Sequence, residues 1–428
     1  MSQAEPGMKL AMPVFHPDQM STVLLRAGAQ LERRSVDRMR EMKVSQVWID
    51  YPKLNMISRF VSPSVMTARA SMSSEVFSAF DAARGDAHAK LDFGAYKAAM
   101  GGLVQKLIYN ADSAIFVSEL VNAGQPAVRH GANVGFISLL MGLRLGFYLI
   151  RERKHTSAQV AKDVTNLGVA AMLHDVGMTR LPEEVRARWR ETRDEQDSEW
   201  REHVKIGYEM VRGHVEPSAA AAVLHHHQRF DGSGFPKRKR FQGDRVAIGG
   251  EDIHVHARII AAADMYDRAV NPASDPGDEE MGLPSVPPVV ALNKFVRGDC
   301  THLVDPVIMR ALLSVCPAYA PGTQVRLSNG VEGVVTDWSP LDPCRPIVRE
   351  LTHFENEELG DTYDLKEDQS VTIMETDGVP VGDMNFYPET PQEFDLMHVE
   401  KAMMNSAVER SMTDPGESGS FESLRPSA

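Results

Sequence analysis

Apolar positions along this chain change rhythm more than once. Residues 9–13 and 44–51 predict short strands, the second with Val44, Val47 and Ile49 apolar and Pro52 ending it. Between them residues 24–42 follow the helical period, with Leu25, Leu31, Val36 and Met39 facing inward. Residues 55–75 are rich in Ser and Met and read as a linker. From there the pattern is helical: 75–83, 93–110, 112–122, 131–150, 156–173, 203–212, 217–227 and 253–270. The charged stretch 183–200 predicts an exposed segment that begins as a helix, and 271–288 an acidic loop. After a helical stretch at 289–313 the period shortens. Residues 324–327, 333–336, 346–351 and 371–375 predict strands, separated by turn residues such as Ser328-Asn329-Gly330. One short helix follows residue 395, then a Ser, Gly, Glu and Pro tail with the composition of disorder.

The expected fold is therefore multi-domain. A small α+β module occupies 1–55, a linker and helical lead-in 56–92, and an all-α domain 93–288. A helix with a small β-rich, barrel-like module spans 289–394, and a short helix with a disordered tail 395–428. A length of 428 residues agrees with two or three domains.

Charge and cysteines narrow the partners. A net charge of -13 argues against a general DNA binder, which needs a basic footprint. Cys300, Cys316 and Cys344 form no CxxC pair and predict reduced thiols in a cytoplasm. No basic segment followed by an apolar one opens the chain, so no signal peptide is expected. The most lipid-like run, 134–150, is interrupted by Arg144 and predicts a buried helix, not a membrane span.

The candidate chemistry centres on Leu173-His174-Asp175-Val176-Gly177-Met178, where a buried helical run ends in an imidazole and a carboxylate. Gly177 and Pro182 are expected to stop that helix. His130, His203, His226, His227 and Asp264 stand at other helix ends. Five imidazoles and two carboxylates without thiolate suit iron, manganese or zinc better than magnesium or calcium. Seven donors exceed the needs of one ion, so two ions bridged by Asp175 are expected. Such a pair clamps a phosphoryl transfer. His174 and Asp175 are the expected catalytic centre.

This series resembles the HD-GYP family, a branch of the HD phosphohydrolases. The resemblance rests on His130, His174-Asp175, His203, His226-His227, the loop 231–236 (Asp231-Gly232-Ser233-Gly234-Phe235-Pro236) and Asp264, in family order over about 93–270. It implies an HD-type all-helical domain, two divalent ions (iron or manganese), and hydrolysis of cyclic di-GMP in bacterial signalling. By the same resemblance His130, His174, Asp175 and Asp264 hold the first ion, and Asp175, His203, His226 and His227 the second. Several departures qualify it, among them Gln228 in place of the glutamate of the family's usual HHE. The family lysine that faces a phosphate is Met178, the Tyr of GYP is Phe235, and the Arg-Pro-Tyr after the last aspartate is missing. Pro126, four residues before His130, stands where three-metal members carry glutamate. Two other functions stay open: a phosphohydrolase acting on another nucleotide, or a catalytically poor signalling protein that binds a nucleotide or a partner. Arg229, Asp267, Lys237 and Arg238 are the expected substrate contacts, the last two within the basic run Lys237-Arg238-Lys239-Arg240. A homodimer and a protein partner on either terminal module complete the expectations.

Overall fold

The computed structural model describes residues 4–16, 22–42, 44, 47–50, 52–60, 62–85, 91–110, 126–239, 243–273, 285–351 and 359–413. The helix expected at 112–122, Arg240 and the tail beyond residue 413 lie outside them.

At the N-terminus β1 (Val14–Phe15) pairs antiparallel with β2 (Val23–Leu25), and α1 (Arg33–Glu41) follows. The helix expected over 24–42 therefore starts late. Gly28 sits at φ +81, which breaks any helix there and turns the chain out of β2. Leu31, Val36 and Met39 do face inward, in a small core with Leu10 and Val14. Of the strand expected at 9–13, only bridges remain: Lys9 to Gln30 and Leu10 to Ile49.

The stretch read as a linker is instead largely a helix, α2 (Pro63–Gly85). Val65, Met66, Met72, Val76, Ala79, Phe80 and Ala83 recur near helical spacing and are buried. Ser and Met hid this face because neither carries a strong hydrophobic signal. The helical body continues with α3 (Phe93–Tyr109), α4 (Pro126–Arg144), α5 (Gly146–Glu152), α6 (Ala158–Ala161) and α7 (Thr165–Met172). Then come α8 (Glu183–Thr192), α9 (His203–Val211), α10 (Pro217–His225) and α11 (Val255–Val270). Two expected long helices are each broken into a pair, α4 with α5 and α6 with α7. Among the described residues no single helix is long and apolar enough to cross a membrane. The α4–α5 pair has the composition but bends by 86°.

A two-stranded ribbon, β3 (Arg238–Lys239) and β4 (Arg245–Val246), projects between α10 and α11. Beyond α11 lie α12 (Pro288–Val296) and α13 (Pro306–Leu313), where one helix was expected. The side chain of Asp305 caps α13 by accepting from Val307 N, and Pro306 takes its first position. Next comes an antiparallel sheet of β5 (Gln324–Leu327), β6 (Glu332–Asp337), β7 (Ile347–Leu351), β8 (Leu359–Asp364), β9 (Ile373–Thr376) and β10 (Val379–Pro380). Its order is β10-β9-β5-β6-β7-β8, and among the described residues β10 and β8 remain edges, so no closed barrel forms. The last element among the described residues is α14 (Leu396–Thr413). One continuous apolar core runs from α2 through α13 into this sheet, through Val325, Val335, Val348 and Ile373.

α11 carries Asp264 and is braced from behind. Arg258 donates to Tyr148 Oη at 2.7 Å and to Asp305 at 2.5 Å, and also pairs with Glu152. This buried network joins α5, α11 and the start of α13.

Candidate metal centre

Five segments deliver the seven expected donors to one place. His130 lies early on α4, His174 and Asp175 in the turn after α7, and His203 begins α9. His226 and His227 follow α10, and Asp264 sits within α11. All are buried except His227, which is partly so. Helix α7 ends at Met172, before Gly177, and a short 3-10 turn (Val176–Arg180) continues. Gly177 thus serves close approach rather than helix termination. A Cβ there would collide with the carbonyl oxygen of His203 and push α9 away.

Four of the rings are locked from outside by their Nδ1 atoms. His174 Nδ1 reaches Ala171 O at 2.7 Å, His203 Nδ1 Trp200 O at 2.6 Å, and His226 Nδ1 Val223 O at 2.7 Å. A carbonyl oxygen only accepts, so each of these Nδ1 atoms carries the hydrogen and each Nε2 presents a lone pair when neutral. His130 Nδ1 lies 2.7 Å from Asp267 Oδ2. The Nε2 atoms converge. Those of His130 and His174 are 3.2 Å apart, as are those of His203 and His227. His130 Nε2 lies 3.0 Å from Asp264 Oδ1, and His226 Nε2 lies 3.4 Å from Asp175 Oδ1. Atoms facing one another at such distances need a proton or a metal cation between them. Asp175 Oδ1 and His226 Nε2 are buried without any hydrogen-bond partner, which a bound cation would satisfy. Two donor groups meet the geometric demand for an ion: Asp175, His203, His226 and His227, and His130, His174 and Asp175. The residues fit a divalent metal.

The two halves differ electrostatically. Burial alone would lower the pKa of His174, but the charge of Asp175 and bonds to Asp175 and Asp264 raise it to about 10. Burial and Arg268 lower His130, and its bonds to Asp264 and Asp267 reverse this to a net rise. His203 goes the other way, pushed by burial down to about 4 against the pull of Asp175. Burial and the neighbouring His226 take His227 well below its ordinary value. Asp175 and Asp264 are held far below the carboxylate range. Burial opposes this, but His174 and Arg268 overcome it at Asp175, and Arg268 with His130 at Asp264.

The expected substrate contacts fare unevenly. Asp267 is buried and accepts from Asn133 Nδ2 at 2.7 Å and Asn271 Nδ2 at 2.8 Å besides facing His130. In this position it orients the ring of His130. Arg229 is ion-paired with Glu195. Lys237 and Arg238 are exposed at the start of the β3–β4 ribbon, with Arg238 3.9 Å from Asp252. Met178 faces no open site. It is buried with Leu181, Val185, Trp189, Trp200, Val204 and Phe235.

Sequence reasoning missed Trp200 and Arg268 as neighbours of the centre. Trp200, expected in an exposed stretch, is buried and stacks on Trp189 at 3.8 Å, with His203 at 4.8 Å and His227 at 5.2 Å. Phe235 stacks on His227 at 4.7 Å. Arg268 spans the two carboxylates, with Nη2 2.5 Å from Asp175 Oδ2 and Nε 2.7 Å from Asp264 Oδ1. Its signal was available: a residue four after Asp264 on one helix shares its face.

Parts of the chain are similar to known proteins. Residues 150–281 match a family described as the HD domain. The HD-GYP likeness read from the sequence holds here. The chain is 32% identical over 109 residues to the cyclic di-GMP phosphodiesterase response regulator RpfG of Xanthomonas campestris pv. campestris, covering 25% of this chain and 26% of that one. It is 27% identical over 176 residues to a cyclic di-GMP phosphodiesterase of Pseudomonas aeruginosa, covering 41% and 38%. The chain thus spans well under half the length of either relative. A solved HD-G"Y"P protein from Bdellovibrio bacteriovorus superposes on 73% of this chain and 96% of its own, at 16% identity and a TM-score of 0.40.

Proposed function

We propose that this HD domain is a metal-dependent phosphodiesterase that hydrolyses cyclic di-GMP. The observation that carries the reading is the set of buried imidazoles whose Nδ1 atoms are tied outward and whose Nε2 atoms converge on Asp175 and Asp264. Iron or manganese suits these donors, and the resemblance brings one ion to each half of the centre. Bound divalent ions supply charge neutralisation at phosphate oxygens and a lowered pKa for attacking water. His203 and His227 are kept neutral by burial and so are ready to act as donors near neutral pH. Trp200 and Phe235 wall their half with aromatic surface, which excludes water and strengthens each charge contact within.

A second reading draws on Arg268. A guanidinium across Asp175 and Asp264 favours a protein that binds a nucleotide and turns it over slowly. The division of the chain at residues 55, 92, 288 and 394, with α2 contributing to the helical core, belongs to the same proposal. So do a cytoplasmic location, a homodimer and a protein partner on a terminal module. DNA stays outside it for a chain of charge -13.

Turnover of a nucleotide panel, with metal content measured on the same sample, tests the reading. Cyclic di-GMP should be opened by wild type, and His203→Ala should lose both bound metal and turnover. A variant that keeps both overturns it. Tight cyclic di-GMP binding without turnover by the metal-loaded wild type selects the second reading.

A further inference from the structure

Resting on the metal-centre reading, we propose that Arg268 itself supplies the positive charge in the His130–His174–Asp264 half. The protein then holds one ion, between Asp175, His203, His226 and His227.

The two oxygens of Asp175 carry the argument. Oδ2 accepts from Arg268 Nη2 at 2.5 Å. Oδ1 is buried without a hydrogen-bond partner, 3.5 Å from His203 Nε2 and 3.4 Å from His226 Nε2. Asp264 is engaged in the same sense. Its Oδ1 accepts from Arg268 Nε at 2.7 Å and lies 3.0 Å from His130 Nε2 and 3.7 Å from His174 Nε2. An ion among His130, His174 and Asp264 would have to take the carboxylate oxygens that the guanidinium already holds. Arginine keeps its charge at every working pH, and its planar fork matches two carboxylates at once. An ion placed beside it would lose its anionic ligands and face a like charge in a partly dry site. The other half has no such competitor. The oxygen of Asp175 and the imidazole nitrogen of His226 that point there are both unsatisfied.

Placement explains why the arginine reaches. Arg268 lies one turn beyond Asp264 on α11, on the same face, and its side chain is 21% exposed. The result is a mixed centre, one ion and one guanidinium on either side of Asp175. Both are cationic, and together they can grip an anionic phosphodiester.

The test is equilibrium dialysis of full-length protein against manganese(II), followed by elemental analysis and electron paramagnetic resonance. Wild type should hold about one ion per chain and give the signal of an isolated manganese(II). Arg268→Ala should hold about twice as much and give the signal of a spin-coupled pair. Arg268→Gln, which keeps most of the side chain, should do the same if the alanine variant fails to fold. His203→Ala should lose the wild-type ion, whereas His174→Ala should keep it. A wild-type protein with two coupled ions overturns the proposal, as does an unchanged ion count in both Arg268 variants. A wild type that binds no manganese under any condition removes the metal-centre reading itself, a result distinct from either.

Discussion

Asp267 Oδ2 lies 2.7 Å from His130 Nδ1, and the same carboxylate ends a chain of side chains that begins on another helix. Arg69 on α2 donates to Asn133 Oδ1 at 2.5 Å, and Asn133 Nδ2 donates to Asp267 Oδ1 at 2.7 Å. All four residues are buried. A buried carboxylate on the outer nitrogen of a ring sets which nitrogen carries the hydrogen and where the inner one points. His130 is thus aimed by α2 and α11 together, although it belongs to α4.

Asp267→Asn should therefore act through orientation. Loss of such an outer partner lowers activity or metal affinity about 10–100-fold. The fall should lie in kcat, with KM for cyclic di-GMP little changed. The stability cost of disturbing the buried network should be about 1–3 kcal/mol in urea unfolding. A variant with raised KM and wild-type kcat would return Asp267 to the role of a substrate contact.

Met178→Lys is the substitution that restores the family lysine, and the structure changes its expected outcome. The Met178 side chain is packed among Leu181, Trp200, Val204 and Phe235. A lysine there must bury its charge without a partner or give up its proton. The loss of stability should be on the order of 3 kcal/mol or more. Turnover per folded molecule should not rise. Equal stability with higher activity, from urea midpoints and initial rates, would show that the side chain reaches a phosphate instead.

Sequence and structure agree best where chemistry forces position. His130, His174, Asp175, His203, His226, His227 and Asp264 were legible because their residue types and order have few other uses together. What surrounds them was not. α2 was lost because alternating Ser, Ala and Met give a weak periodic signal, and its burial is decided by contact with α4 and α3. Trp200 sits in a run dominated by charge, and composition over that window outweighed its two tryptophans, Trp189 and Trp200. Arg268 was missed because a lone arginine on a helix reads as solvated surface, and only the fold brings Asp175 against Asp264. The break of α12 from α13 was visible in Asp305-Pro306, which begins a helix better than it continues one.

Lys237, Arg238 and Lys239 are exposed on the ribbon that follows Phe235, and Phe235 stacks on His227. This places the start of a basic run two residues from the wall of the metal centre, in a chain of charge -13. Replacing the three with Gln should raise KM for cyclic di-GMP at low salt and leave metal content alone. Screening shortens from about 10 Å at 0.1 M to about 3 Å at 1 M, so the gap from wild type should close as salt rises. Equal KM values at every salt concentration would reduce the run to a solvated turn.

Opposite shifts at His203 and His174 predict a peaked pH dependence for protein dialysed free of metal. His203 is held down at about 4 in the fold, below the ordinary histidine value of about 6.5. The unfolded chain therefore binds more protons between those values, and stability should drop as pH falls through that window. His227, lowered in the same direction, adds to this acid limb. His174 is raised to about 10, so its contribution is complete below about 6.5 and disappears as pH rises towards about 10. Stability should thus be greatest near pH 6.5 and decline on both sides, by roughly 1 kcal/mol or more on each limb. An ion held among Asp175, His203, His226 and His227 needs those rings without protons on the inner nitrogens, so protons compete with it as pH falls and loading should deepen the acid decline. The alkaline decline, set by His174 in the other half, should remain. Urea midpoints across pH, with and without manganese, measure both effects. A metal-free midpoint that stays level from about pH 5 to about pH 9 would contradict the opposed shifts.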